Sequence, residues 1–540
     1  MKRAPLNRPL VCVLILLATS WLATTLSAES FTNPIISGFS PDPSITRVGD
    51  DFYLITSTFE YFPGVPIYHS RDLVHWELIN YVLRRPSQLP LRNCESSSGI
   101  YAPVLRYHDG TFYMITTNFA ADGVFYVTAT DPRGEWSEPV WLGNVNVDPS
   151  LLFDDDGKVY LIHPDGGEQG QIFLREMDLA NGTYKAEPPH PGKFLWMGTG
   201  GAWPEGPHLY KIEDYYYLMM AEGGTGQGHR ETIARSKSPW GPYWPWEENP
   251  IMTHRDVPDH PIMATGHADM FQIQDGSWWA VFLGVRQKDQ KSHLGRESFL
   301  TSVTWTDDGW PVFGKDRRVP MVMAGPDLPR SAPEAPPVRD SFNAPKLGLE
   351  WNYVRNPVME RYSLSARPGW LRLQGVAATF NDLASPTALL RRQRHFDVSF
   401  STLLDFEPTR NGDEAGLSLR LNEEFHVELG VAQQDGKRRI FLRQTFGGDE
   451  SVHHLADLGS GPVELRARAD RDSYWLSYKA GENVVQAGRI ATDDLSPEAS
   501  WGKGIRCFTG VMIGVYATGN GATASAPADF DYFDYAPHRL

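Results

Sequence analysis

One hairpin unit recurs five times in this chain, and it restricts the fold more than any other feature. The unit is an apolar run, a turn rich in Asp and Gly, then an aromatic-aliphatic run. It reads Ser44-Ile-Thr-Arg-Val-Gly-Asp-Asp-Phe-Tyr-Leu-Ile first and Val104-Leu-Arg-Tyr-His-Asp-Gly-Thr-Phe-Tyr-Met-Ile second. Further copies open at Leu151, His208 and Met270. Asp-Gly between β-favouring runs signals a hairpin, because Gly accepts the positive φ that such turns need. Aligned on Tyr53, Tyr113, Tyr160, Tyr217 and Trp279, the copies lie 47 to 62 residues apart. That period suits a four-stranded propeller blade with its loops. The expectation is an all-β chain that opens with a five-bladed β-propeller and has no long helices.

Counting back 11 or 12 residues from each aligned aromatic gives Asp42, Ala102, Asp148, Glu205 and His267. In a propeller, equivalent positions are related by rotation about one channel. Three carboxylates and an imidazole in the same phase therefore become candidates for one funnel. Asp42-Pro43-Ser44 and Asp148-Pro149-Ser150 also suit plain turns, since Asp bonds nearby backbone and Pro presets φ. Glu205 stands in a different setting, Trp203-Pro204-Glu205-Gly206-Pro207, which favours the site reading. Glycoside hydrolysis with inversion needs one acid to protonate the leaving oxygen and one carboxylate to deprotonate water, about 6.5–9.5 Å apart. Glu205, flanked by Trp and Pro, suits the donor by desolvation, and Asp42 suits the base. Asp148 would oppose ionisation of Glu205 by like-charge repulsion.

The chain of 540 residues exceeds a single ordinary core, so a second domain is expected. Residues 1–28 read as a secretory signal: Lys2, Arg3 and Arg8, an apolar stretch from Leu10, then Leu26-Ser27-Ala28. The expected location is secreted or periplasmic, with no membrane attachment after cleavage; the rival reading is an uncleaved membrane anchor, because the apolar stretch approaches spanning length. The propeller is assigned to 29–319, a Pro-rich linker to 320–337, and a β-sandwich to 338–540. The sandwich is read from alternating segments such as Leu417 to Leu421, Val463 to Arg468 and Val511 to Tyr516. A net charge of −16 argues against nucleic acid as a partner. Cys12 falls in the signal; Cys94 and Cys507 are taken as free thiols, with no zinc spacing.

The run Asn33-Pro-Ile-Ile-Ser-Gly-Phe-Ser-Pro-Asp-Pro-Ser-Ile resembles the opening of glycoside hydrolase family 43. So do Ser98-Gly-Ile-Tyr-Ala-Pro, Val147-Asp-Pro-Ser-Leu, Trp203-Pro-Glu-Gly-Pro, Thr265-Gly-His-Ala-Asp and Leu294-Gly-Arg-Glu-Ser. The likeness is to the β-xylosidase and α-L-arabinofuranosidase branch. It covers about residues 31 to 315, and the C-terminal part resembles that branch's concanavalin-like (jelly-roll) β-sandwich. The resemblance implies an inverting exo-glycosidase that removes terminal β-D-xylosyl or α-L-arabinofuranosyl residues from hemicellulose-derived oligosaccharides. It makes Asp42 the general base, Glu205 the general acid and Asp148 the modulator of the donor's pKa. It also places Phe59 and Tyr101 against the terminal sugar, Arg296 on its hydroxyls, and His267 on the axis near an ion or water. Tyr101 stands where that branch commonly has Trp. Arg296 has a rival role, an ion pair with Glu297. The chemistry requires no cofactor; calcium is open as a structural ion, and no metal ligands are assigned. Two other readings stay in view, a silent sugar-binding propeller and a retaining fructan or sucrose hydrolase. The latter's Trp-Met-Asn-Asp-Pro-Asn-Gly segment is absent from this sequence.

Overall fold

The computed structural model describes residue 1 and residues 29–143, 147–185 and 190–538. The expected signal at 1–28 falls outside these except for Met1. Five sheets follow one another, each running outward strand by strand in chain order and antiparallel throughout. The innermost strands are Ser44–Val48, Val104–His108, Ser150–Phe153, Glu205–Ile212 and Met263–Gln272. Each touches the next around the ring, and the first touches the fifth, which closes the propeller. The hairpins turn where the sequence places them: Asp109 and Gly110 both take positive φ between Val104–His108 and Thr111–Asn118.

One carboxylate ties this ring together. Asp269 accepts hydrogen bonds from the Ser44 hydroxyl at 2.7 Å, the Ile45 N–H at 3.1 Å and the Tyr210 hydroxyl at 2.8 Å. Arg106 donates to both of its oxygens, at 2.8 and 3.3 Å. Four of the five blades thus meet at one buried side chain. Burial alone would raise the pKa of Asp269, but Arg106 and these donors override it and hold the carboxyl far below its usual range.

The Pro-rich stretch is more than a tether. Within it, Val322–Ala324 pairs antiparallel with Ser30–Thr32, and the Ser331 N–H donates to Asp72 at 2.7 Å. Beyond it, two antiparallel sheets of eight and six strands form the sandwich. The strand Val398–Asp405 alternates buried and half-buried residues along its whole length, as a sheet with one core face requires. Leu417, Leu429, Phe400, Leu465 and Phe533 meet between the sheets in a core that runs on into the first two blades through Ile55, Val65 and Phe112. The described chain has a single short α-helix, Pro497–Gly502, capped by the Ser496 hydroxyl.

The two halves share more than apolar surface. Tyr61–Phe62 of the propeller pairs with Tyr353–Val354. Arg420, fully buried, donates to the Tyr61 hydroxyl at 2.9 Å, to Glu60 at 3.4 Å and to Glu423 at 2.9 Å. Cys94 and Cys507 are buried and free. Replacing Asp269 by Ala would strand the Arg106 guanidinium, a loss of roughly 3–5 kcal/mol for a buried pair cut on one side. The expected readout is a lowered thermal midpoint together with lost activity; an unaltered melting curve would show that the ring closes without this hub.

Candidate active site

The acids stand where the innermost strands begin. Glu205 is the first residue of its strand, and Asp42 and Asp148 each stand two residues before theirs. His267 lies within its strand, at an irregular register that lets the backbone turn its ring inward. Asp42, Asp148 and His267 all take positive φ, 54°, 48° and 53°, conformations that L-residues adopt only under surrounding constraint. The same backbone device therefore repeats in the first, third and fifth blades.

These side chains converge on one cavity of about 480 Å³, lined by all seven of the residues singled out above. Asp42 accepts the Ser57 hydroxyl at 2.6 Å and Arg296 Nη1 at 2.9 Å, and His267 Nδ1 lies 3.9 Å away. Arg296 is thus committed to Asp42, while Glu297 pairs with Arg286 at 2.8 Å, so the rival ion pair is not formed. Asp148 takes a hydrogen bond from the Gly206 N–H, which fixes it beside the strand that carries Glu205. Burial pushes the Glu205 carboxyl up to about 7; Asp42 adds to this and Arg296 works against it. Burial, then the charges of Glu205 and Asp42, lift Asp148 well above the usual carboxylate range. Packed together away from water, the acids resist full ionisation, so a proton stays in the funnel near neutral pH.

Aromatic rings form the walls. Phe59 and Tyr101 meet edge to face at 5.2 Å, and Phe119 sits 4.5 Å from Tyr101. Phe508 and Arg506 come from the sandwich, and Phe508 packs 5.8 Å from Phe59. A chain of hydrogen bonds sets this wall. Glu60 accepts the Ser97 N–H at 2.9 Å, the Ser97 hydroxyl accepts the Phe508 N–H at 2.7 Å, and the Ser97 carbonyl accepts the Tyr101 hydroxyl at 2.9 Å. Trp203 is 47 % exposed at the rim. Phe119, Thr225, Arg506 and Phe508 were not anticipated from the sequence, because loop placement and domain docking decide them. Trp203 carried a signal, its place two residues before the donor candidate.

Among the described residues, no group of three or more His, Cys, Asp or Glu side chains is arranged to hold a metal ion. The carboxylate nearest His267 is Asp42, at 3.9 Å, and it is engaged by Arg296 and Ser57.

Residues 31–311 match the model of Glycosyl hydrolases family 43, and residues 339–536 match the Beta xylosidase C-terminal Concanavalin A-like domain. The chain belongs to glycoside hydrolase family 43. It is 48 % identical to a non-reducing end alpha-L-arabinofuranosidase of Bacteroides ovatus, over 97 % of this chain and 98 % of that protein. It is 39 % identical to a xylosidase/arabinosidase of Butyrivibrio fibrisolvens, over 93 % and 98 %. The solved xylan beta-1,4-xylosidase of Bacillus halodurans superposes with a TM-score of 0.88 at 36 % identity, covering 94 % of this chain and all of that one. This family 43 protein is therefore a glycoside hydrolase with a propeller and a concanavalin-like partner, as its sequence led us to expect.

Gly206, at φ +57°, lies so close to His267 that an added Cβ would meet the ring at 2.7 Å. A side chain there is strained twice, by the backbone and by the ring. We expect Gly206→Ala to lower kcat/KM at least tenfold, since it displaces the neighbours of Glu205 and Asp148. Wild-type kinetics in that variant would mean that the ring and strand do not position the acids.

Proposed function

We propose that this protein is an inverting exo-glycosidase that releases terminal β-D-xylosyl or α-L-arabinofuranosyl residues from hemicellulose-derived oligosaccharides. The observation that carries the proposal is the convergence of Asp42, Asp148 and Glu205 in one aromatic-walled cavity, with the Glu205 carboxyl raised to about 7. The named activities of the relatives, an arabinofuranosidase, a xylosidase/arabinosidase and a xylosidase, support the choice of sugars. In the proposed reaction, Glu205 gives its proton to the glycosidic oxygen as the bond to the anomeric carbon breaks. Asp42 takes a proton from the water that attacks the opposite face of that carbon, so configuration inverts in a single displacement. Asp148 and Glu205 repel one another when both are charged, so the pair keeps a proton between them, and the Gly206 N–H holds Asp148 in place for this role. Arg296 orients Asp42 and offers its remaining donors to sugar hydroxyls. Phe59, Tyr101 and Phe508 present ring faces and edges to the C–H faces of a pentose. The cavity suits one chain end, which favours exo action. The N-terminal segment with Lys2, Arg3, Arg8 and Leu26-Ser27-Ala28 supports export to the periplasm or the medium.

Glu205→Ala is expected to reduce kcat/KM on xylobiose or arabino-oligosaccharide by about 10²–10⁴-fold, the usual worth of a general acid. Aryl glycosides with a good leaving group should lose far less; equal losses would remove Glu205 from the donor role. NMR of the first-formed sugar should show the inverted anomer, and a retained anomer would favour the fructan-type reaction. Oligosaccharide bound for long periods without cleavage would favour the silent propeller.

The donor must be protonated to act, so activity should fall as pH rises through about 7. Asp148→Asn leaves Glu205 without a second carboxyl that opposes loss of the shared proton, so the donor should ionise more readily. The alkaline limb of kcat/KM should then move to lower pH, and a limb that stays in place would deny Asp148 its role.

A further inference from the structure

Away from the funnel, the sandwich holds a second cavity, of about 220 Å³. Its floor is the face of the six-stranded sheet turned away from the sandwich core. His426 and Glu428 lie there, alternating with the core residues Val427 and Leu429. Arg443 and Tyr516 join them from Lys437–Phe446 and Met512–Thr518, and Phe380 covers one side.

Three polar atoms on residues that line this cavity, Glu428 Oε2, the Tyr516 hydroxyl and Arg443 Nε, have no hydrogen-bond partner. Glu428, 1 % exposed, uses one oxygen to hold His426 Nδ1 at 2.5 Å, and its Oε2 is unpartnered. The closest cation to that oxygen is Arg443 Nη1 at 3.8 Å, beyond hydrogen-bond reach. Arg443 is instead gripped by both oxygens of Glu414, each at 2.8 Å. The Tyr516 hydroxyl, on a residue 3 % exposed, is unpartnered as well. Leaving such groups unsatisfied disfavours the folded state, unless something in the cavity bonds to them. Phe380 adds an apolar wall, its ring 5.8 Å from His426 and 5.4 Å from Tyr516.

An acceptor, a phenolic hydroxyl and an aromatic face around a small volume make a specific demand. An ammonium ion would satisfy Glu428, yet it offers no acceptor to the Tyr516 proton. A sugar hydroxyl donates to the carboxylate and accepts from the phenol, while the C–H face of its ring rests on Phe380. Metal binding does not fit, since no suitable group of three or more His, Cys, Asp or Glu side chains occurs among the described residues. We infer that this cavity is a second, non-catalytic sugar site, which takes one neutral pyranose or furanose ring between Glu428, Tyr516 and Phe380. A cavity of this size suits a free monosaccharide or a chain end.

The test uses the full-length protein, with D-xylose, L-arabinose, D-glucose and glycerol as probes. Isothermal titration should give two sugar sites per chain, and soaked crystals should show density against Glu428 and Tyr516. Tyr516→Phe should weaken the second site at least tenfold. Asn381→Trp, a change at the exposed rim that disturbs no buried group, should abolish it. Both variants should keep kcat/KM on aryl glycosides within twofold and melt like the wild type. One site per chain in all three proteins, water alone in the soaked cavity, or preferential uptake of guanidinium would each overturn the inference. The choice of pentoses rests on the hydrolase reading, and the probes keep the two apart. Glucose bound here without any pentoside cleavage would keep the site and sink that reading; cleavage with no sugar bound here would do the reverse.

Discussion

The Asp269 carboxylate is the point on which this molecule's chemistry turns, although it lines no part of the substrate cavity. Four blades give it donors, and Arg106 supplies the charge that makes its burial tolerable. A propeller has no central hydrophobic core of its own, so polar contacts near the axis must fix how far each blade leans inward. Two residues upstream, His267 faces the funnel, and its ring backs against Gly206, whose N–H steadies Asp148. The hub thus sets, through one strand, the spacing of acids that come from separate blades.

The proposed function rests on a conflict held in place. Acidic side chains packed together away from water repel one another, and burial raises the cost of charging them. Asp42 is held by Arg296 and the Ser57 hydroxyl, whereas burial pushes the Glu205 carboxyl up to about 7 against the opposing guanidinium of Arg296. In the proposed reaction, the difference between proton donor and proton acceptor therefore lies in partners, since the groups themselves are alike. The positive φ values at Asp42, Asp148 and His267 are the strain that this arrangement costs.

Much of this was legible in the sequence, for a definite reason. Hairpin turns at Asp109-Gly110 and the aromatic runs after them are local, so their recurrence declares the blades, and blade symmetry converts phase into proximity. Asp42, Asp148, Glu205 and His267 were found that way; Phe59, Tyr101 and Arg296 came from the family resemblance. Phe508 and Arg506 could not be found by phase, because they reach the cavity only through docking of the second domain. Asp269 was equally hidden: an acid in a strand announces nothing until its four donors are assembled. The segment 320–337 read as a linker from its prolines, yet Val322–Ala324 pairs with Ser30–Thr32, a contact between positions far apart in the chain.

The borrowed wall at Phe508 has an evolutionary and engineering corollary. A carbohydrate-active enzyme built from separable modules can gain or lose an appendage while its turnover survives. Here the partner domain contributes surface to the same cavity that gathers the three acids, and Arg420 roots its charge among propeller residues. Recombination at the proline-rich junction would thus exchange part of that cavity's wall, at Arg506 and Phe508, along with the domain. Lineages of this architecture should inherit both halves as a single heritable unit.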